Sequence, residues 1–140
     1  SDVCSSDLAR QMRNGRPLIE DPVFRNRVAA VEVDLMALEM TLLRVLSSRD
    51  KPGPESSILK IKGTEIQQAL TELMMKAVGP QALPFIPEAL AFDWDGEPVG
   101  PEYCNALAGR YFNYRKTSIY GGTNEIQRNI IALRGLGLPR

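Results

Sequence analysis

The chain has no histidine, and only two of its 140 residues are cysteine. Cys4 and Cys104 are too few for a disulfide framework, which points to a reduced, cytoplasmic setting, and no metal site is expected. Neither sign of charge is in excess. Seventeen Lys and Arg balance 17 Asp and Glu, and the pI is near 6.3. A nucleic-acid partner calls for a basic face, and none is legible. No apolar run approaches the roughly 18 residues of a membrane-spanning helix, and no leader-like pattern of basic start, apolar core and small-residue cleavage site appears. Internal repeats, low-complexity stretches and convincing strand patterns are missing as well. What remains is length enough for one domain.

The opening "SDVCSSDL" has turn composition and no periodicity. It resembles the in-frame translation of a common short-read sequencing adapter, codon by codon. Residues 1–8 are therefore expected to be non-native, with the coding sequence cut upstream, and residues 9–140 to form the domain.

Residues 9–20, "ARQMRNGRPLIE", read as the end of a helix followed by a turn at Asn14-Gly15 and Pro17. Asp21-Pro22 sets up a helix start, with the acid as N-cap and proline in the first turn. Phe24, Val28, Val31, Leu35, Leu38, Leu42 and Val45 then recur at helical spacing, predicting a long amphipathic helix over 22–49. A second helix is expected over 55–78, with Leu59, Ile66, Leu70, Leu73 and Ala77 as its apolar stripe; Gly79-Pro80 ends it. Five prolines between 80 and 101 make that stretch a long ordered loop anchored by Trp94. A third helix is predicted over 102–117, burying Leu107, Tyr111 and Tyr114, and a fourth over 123–134. The fold class is all-α: an antiparallel up-down helical bundle, incomplete because its first helix is mostly missing. Three long apolar stripes still need a fourth partner.

The densest stretch is "YRKTSIYGGTNEIQRNIIA", residues 114–132. Gly121-Gly122 lets the backbone take positive φ and lets a ligand approach with no Cβ in the way. Thr123 is a good N-cap for the helix that follows. A helix start carries free N–H groups and partial positive charge, which suits a phosphate or a polarised carbonyl oxygen.

"SIYGGTNEIQRNIIA" (118–132) resembles the C-terminal signature of the acyl-CoA dehydrogenase family. "NGRPLIEDPVF" is similar to that family's link between its first two bundle helices, and "SSILKIKGTEI" to the start of its third, with Lys60 at a commonly lysine position. The resemblance covers nearly all of 9–140. It implies part of an FAD enzyme that introduces an α,β double bond into an acyl-CoA thioester and passes electrons to an electron-transferring flavoprotein. It also implies a homo- or hetero-oligomer in which neighbouring subunits share FAD sites. By position, Tyr120, Gly121 and Gly122 would border the substrate, and Thr123, Asn124 and Glu125 would meet the FAD. Arg10 or Arg13 would answer to an arginine on the FAD pyrophosphate, and Gly79 to a glycine near the neighbouring subunit's FAD.

One position departs from the family pattern. Gly121 occupies the usual place of the catalytic base and cannot take a proton. Its N–H can still donate to the thioester carbonyl, and such donors are worth roughly 3–4 kcal/mol. The base is then expected outside these residues, on the first bundle helix, as in some members of the family. Glu125, in the first turn of the next helix, is better placed for the dipole or the flavin than for proton abstraction. Arg110, Arg115 and Lys116 read as a solvated or dipole-favoured basic cluster near the helix end, with a coenzyme A phosphate contact as a minor alternative, and Cys104 as a small buried apolar residue. A non-catalytic partner subunit and a helical interaction domain unrelated to flavin stay open as alternatives.

Overall fold

The computed structural model describes residues 11–13, 15–47 and 53–139, with Glu102 described by its backbone alone. Residues 1–8, Arg10 and Asn14 lie outside the described residues. Four α-helices carry the fold: α1 (Pro22–Ser47), α2 (Glu55–Val78), α3 (Leu107–Tyr114) and α4 (Asn124–Ile130).

Asp21 caps α1 as its sequence position suggests, since the Val23 N–H donates to Asp21 Oδ1 at 2.9 Å. Phe24, in the first turn of α1, packs with Leu18 against Leu73 and Ala77, near the end of α2. The start of one helix therefore meets the end of the other, and the pair is antiparallel. Val28, Val31 and Met74 flank this core.

The predicted stripe of α1 is buried at its N-terminal end only. Leu35 and Leu42 are 49% and 43% exposed, and the opposite side of the helix exposes Val33, Met36, Met40 and Leu43 as well. Those four residues recur at intervals of three and four, which makes α1 apolar on two faces. On α2, Leu70 is exposed while Ser57 and Thr71 are buried.

Three expectations need correction. The described part of 9–20 is not the end of a helix: Met12–Arg13 (β1) and Arg16–Pro17 (β2) pair as a small antiparallel hairpin, with Met12 opposite Pro17. Gly15 at φ 75° permits the reversal, and Asn-Gly is a strong hairpin signal that outweighs a helical reading. The Leu18 N–H then bonds to the Gln11 carbonyl, starting the 3-10 turn Leu18–Glu20.

Second, the single helix expected over 102–117 is three pieces: the 3-10 turn Glu102–Cys104, α3, and the 3-10 turn Arg115–Ser118. The unwinding has a visible cause. Gln68 Nε2, from α2, donates to the carbonyls of Tyr114 and Arg115, which a continuing helix would need for its own ladder.

Third, Arg115 is not solvated. Its guanidinium donates to the Gln68 carbonyl at 2.8 Å and to Thr71 Oγ1 at 3.0 Å, and it lies over the Tyr111 ring. The last helix begins as predicted but ends in a π turn, Ile131–Gly135. The loop over 80–101 is ordered by two 3-10 turns, Gly79–Ala82 and Pro87–Leu90, and the Trp94 ring covers Gly96. Cys104 is 1% exposed, and burial pushes its thiol pKa up, as suits an apolar role.

Phe24→Ala empties the centre of the α1–α2 contact. It is expected to cost about 3–5 kcal/mol, read as a lower urea midpoint, whereas Met36→Ala in the monomer is expected to stay within about 0.5 kcal/mol.

Candidate functional site

The chain leaves α3 through Arg115–Ser118, reverses at Ile119–Thr123 and enters α4. Gly121 and Gly122 have φ of 62° and 88°, so both stand in the left-handed region that side chains disfavour. Two consecutive residues of this kind turn the backbone sharply, and both are exposed. Among the described residues no hydrogen bond from the Gly121 N–H is found, while the Gly122 N–H closes the turn over residues 119–121. A Cβ built on Gly121 would meet nothing within 4 Å, whereas one on Gly122 would come within 2.9 Å of Gln127 Nε2. One side of the turn is therefore open and the other is closed by Gln127, which donates to the Gly121 carbonyl at 2.8 Å.

Thr123 is the N-cap that its position promised: its Oγ1 accepts from the Ile126 N–H at 3.3 Å. Glu125 is exposed, and its carboxyl is held below the usual glutamate range, first by its own main-chain amide and then by the Thr123 hydroxyl. A carboxylate made more acidic is a weaker proton acceptor. Tyr120 is 56% exposed, with the Lys116 ammonium over its ring.

Asn124 lies differently from its neighbours. It is buried, and its Oδ1 accepts from Lys60 Nζ at 2.7 Å. The same ammonium donates to the Ser118 carbonyl at 2.9 Å. Of the six residues singled out from the sequence, Tyr120 to Glu125, the structure gathers five on the exposed turn and its cap. The sixth, Asn124, turns inward. Sequence reading missed the roles of Lys60, Gln68 and Gln127. Gln127, four residues past the N-cap, was the one with a local signal; the other two act across 46 or more residues of chain.

A second feature lies at the far end of α2. Gly79 has φ 76°, and a Cβ there would come within 3.2 Å of Arg13 Nη2. Arg13 and Gly79, two of the residues suggested for FAD, thus meet in a cleft of 520 Å³ that also takes in Phe24, Lys76 and Tyr111. Lys60 and Gly79 are separated by 19 helical positions, about 28 Å along the axis.

The profile of the family "Acyl-CoA dehydrogenase, C-terminal domain" matches residues 2–136. Two curated proteins named acyl-CoA dehydrogenase IpdE1 are similar to the chain. The one from Mycobacterium tuberculosis is 31% identical over 123 residues, and the one from Mycolicibacterium smegmatis 33% identical over 122; each alignment covers 86% of this chain. The chain spans 28% and 27% of their lengths, respectively. The crystal structure of the ChsE4-ChsE5 complex from Mycobacterium tuberculosis matches 96% of this chain and 34% of its own, with a TM-score of 0.74 and 25% identity.

Thr123→Ala removes both the cap and one of the two bonds on Glu125. The Glu125 carboxyl is expected to titrate at higher pH than in the parent protein, followed by carboxyl ¹³C chemical shift, and stability to fall by about 1 kcal/mol. Because the folded-state pKa of Glu125 lies below its unfolded value, its contribution to stability is present above the unfolded value and lost as pH falls through the folded one. In Thr123→Ala that acid-side loss is expected to shrink.

Proposed function

The chain belongs to the acyl-CoA dehydrogenase family, and from that premise we propose that it works as the C-terminal part of an FAD-dependent enzyme that introduces an α,β double bond into an acyl-CoA thioester. One observation carries the reading. The diglycine turn leaves the Gly121 N–H without a hydrogen bond among the described residues, with open space beside Gly121 where a side chain would otherwise stand.

The residues present fit FAD at two places. Gly79 leaves its backbone bare beside the exposed Arg13 guanidinium, a cradle that a Cβ would narrow, with a cation suited to a pyrophosphate. Thr123 and Glu125 edge the open side of the turn. The two places lie towards opposite ends of α2, so in this reading they serve two flavins and at least two chains assemble. The second apolar face of α1 supports the same assembly.

FAD, when bound, accepts the hydride from the substrate β-carbon. This chain's own part lies at the thioester. The Gly121 N–H donates to the carbonyl oxygen, which draws charge from the α-carbon and makes its proton easier to remove. Tyr120 and Gly122 border the acyl group. The proton goes to a carboxylate outside the described residues, because Gly121 has no side chain and Glu125 is held ionised as a weak base. Electrons leave to an electron-transferring flavoprotein.

A second reading has specific support. Gly121 stands at the family's usual base position, and the solved structure to which the chain is similar is a complex of two differently named proteins. A subunit that binds flavin and completes an active partner fits both facts.

The test uses the polypeptide that carries this domain. It is expected to purify with FAD and to lose the oxidised flavin absorbance on anaerobic addition of an acyl-CoA thioester. A flavin-loaded protein that no thioester reduces, but that restores a partner's activity, favours the second reading. A protein that binds neither FAD nor acyl-CoA discards both. Gly121→Ala keeps the N–H and removes no base, so flavin reduction by the thioester is expected to slow by no more than about tenfold, the cost of a side chain at positive φ.

A further inference from the structure

The turn must do two opposed things. It needs glycines to adopt its shape, and glycine gives the backbone more freedom than any other residue. A donor that wanders stabilises little, since its value lies in being aimed before the reaction begins. Bonds within the turn and α4 do not settle the matter. Gln127 to Gly121 and Thr123 to Ile126 fix the turn relative to α4, but α4 has only seven residues.

The link to the rest of the protein is Lys60. Its ammonium, half-buried on α2, binds the Ser118 carbonyl just before the turn and Asn124 Oδ1 just after it. The five residues between, Ile119–Thr123, form a loop whose two ends meet on one cation. Among the described residues no other side chain from outside the segment 114–130 bonds to both flanks. The ammonium also faces a buried amide oxygen and a main-chain carbonyl, both neutral acceptors that a hydroxyl or a shorter side chain at position 60 would not bridge.

We propose that Lys60 is a positioning residue that aims the Gly121 N–H, and that Asn124 acts through Lys60 and not by touching the flavin. This rests on the acyl-CoA reading above. It assigns to Asn124 a role other than the cofactor contact its sequence position suggested. Because the clamp touches neither substrate nor flavin, its loss changes the rate of the chemical step more than the binding of either.

Lys60→Met in the flavin-loaded enzyme tests this, keeping the aliphatic stem and removing the charge. Two readouts are needed. Amide hydrogen exchange is expected to quicken at the bonded amides within 119–127, those of Ile119, Ile126 and Gln127, and to stay unchanged across α1. The carbonyl stretch of a bound, isotopically labelled acyl-CoA is expected to return toward its solution frequency. The rate of flavin reduction should fall roughly 10- to 100-fold, with KM changed by less than about threefold. Asn124→Ala, which removes one acceptor only, is expected to act in the same direction, and the double variant to be no slower than Lys60→Met. Asn124→Ala also keeps the test open should Lys60→Met fail to fold. Unchanged exchange at 119–127 in Lys60→Met overturns the clamp, as does an Asn124→Ala effect that multiplies with it or a loss of flavin confined to Asn124→Ala. An unmodified enzyme in which the carbonyl stretch does not move on binding overturns the acyl-CoA reading instead, independently of the exchange result.

Discussion

Side chains of α2 take over the backbone hydrogen bonding of the segment that follows α3, and the rest of the molecule depends on this substitution. A helix that stops leaves its last carbonyls without partners. Left unmet in a half-buried place, each costs about 1–3 kcal/mol. Here Gln68 serves Tyr114 and Arg115, and Lys60 serves Ser118. Arg115 returns the bond by donating to the Gln68 carbonyl and to Thr71. No buried side-chain N or O among the described residues is left without a partner. The polar residues on the inner side of α2 are thus the means by which α3 can end where it does.

That ending makes room for the turn. Had α3 continued through Ser118, the diglycine would fall inside a helix, where each glycine is destabilising by about 0.5–1 kcal/mol relative to alanine. With the helix closed at Arg115–Ser118, the same two residues stand exposed at positive φ. The chemistry proposed for this site is accordingly a chemistry of the main chain. A sequence with no histidine suits the proposed surface that polarises and orients while the proton acceptor comes from elsewhere.

How much of this was legible in the sequence follows from the range of each interaction. Asp21 and Thr123 were readable as caps because a cap is a bond across two or three residues. The helical spans of α1 and α2 were readable because apolar spacing repeats many times within each. Positive φ at Gly121 and Gly122 was readable because a double glycine directly precedes a helix cap. The hairpin at Met12–Pro17 was missed although Asn14-Gly15 announced it, because a truncated helix was expected there. The break in α3 was not legible at all: it is imposed by Gln68, 46 residues away, and nothing near Tyr114 signals it. Lys60 was noticed only for its position in a family pattern, and its partners at 58 and 64 residues' separation belong to the fold.

The same distinction bears on α1. Its periodicity correctly gave a helix but gave only one of its two apolar faces, since Val33, Met36, Met40 and Leu43 interleave with the stripe that was counted. An isolated helix has no use for a second such face, and burying one typical aliphatic side chain is worth about 1.5–3 kcal/mol. The face against α2 fixes the core with Phe24, Val28 and Val31; the other is set apart from it by the charged positions Glu32, Asp34 and Glu39. Those charges limit how a neighbour can approach, because a covering surface must meet the methionines while leaving the carboxylates in water or paired. An assembly that does so places α1 between two layers, with α2 on one side and a partner on the other. In that arrangement α2 has the turn clamped near its start and the Arg13–Gly79 cleft at its end, which is how one rigid helix would serve two flavin sites in a shared assembly.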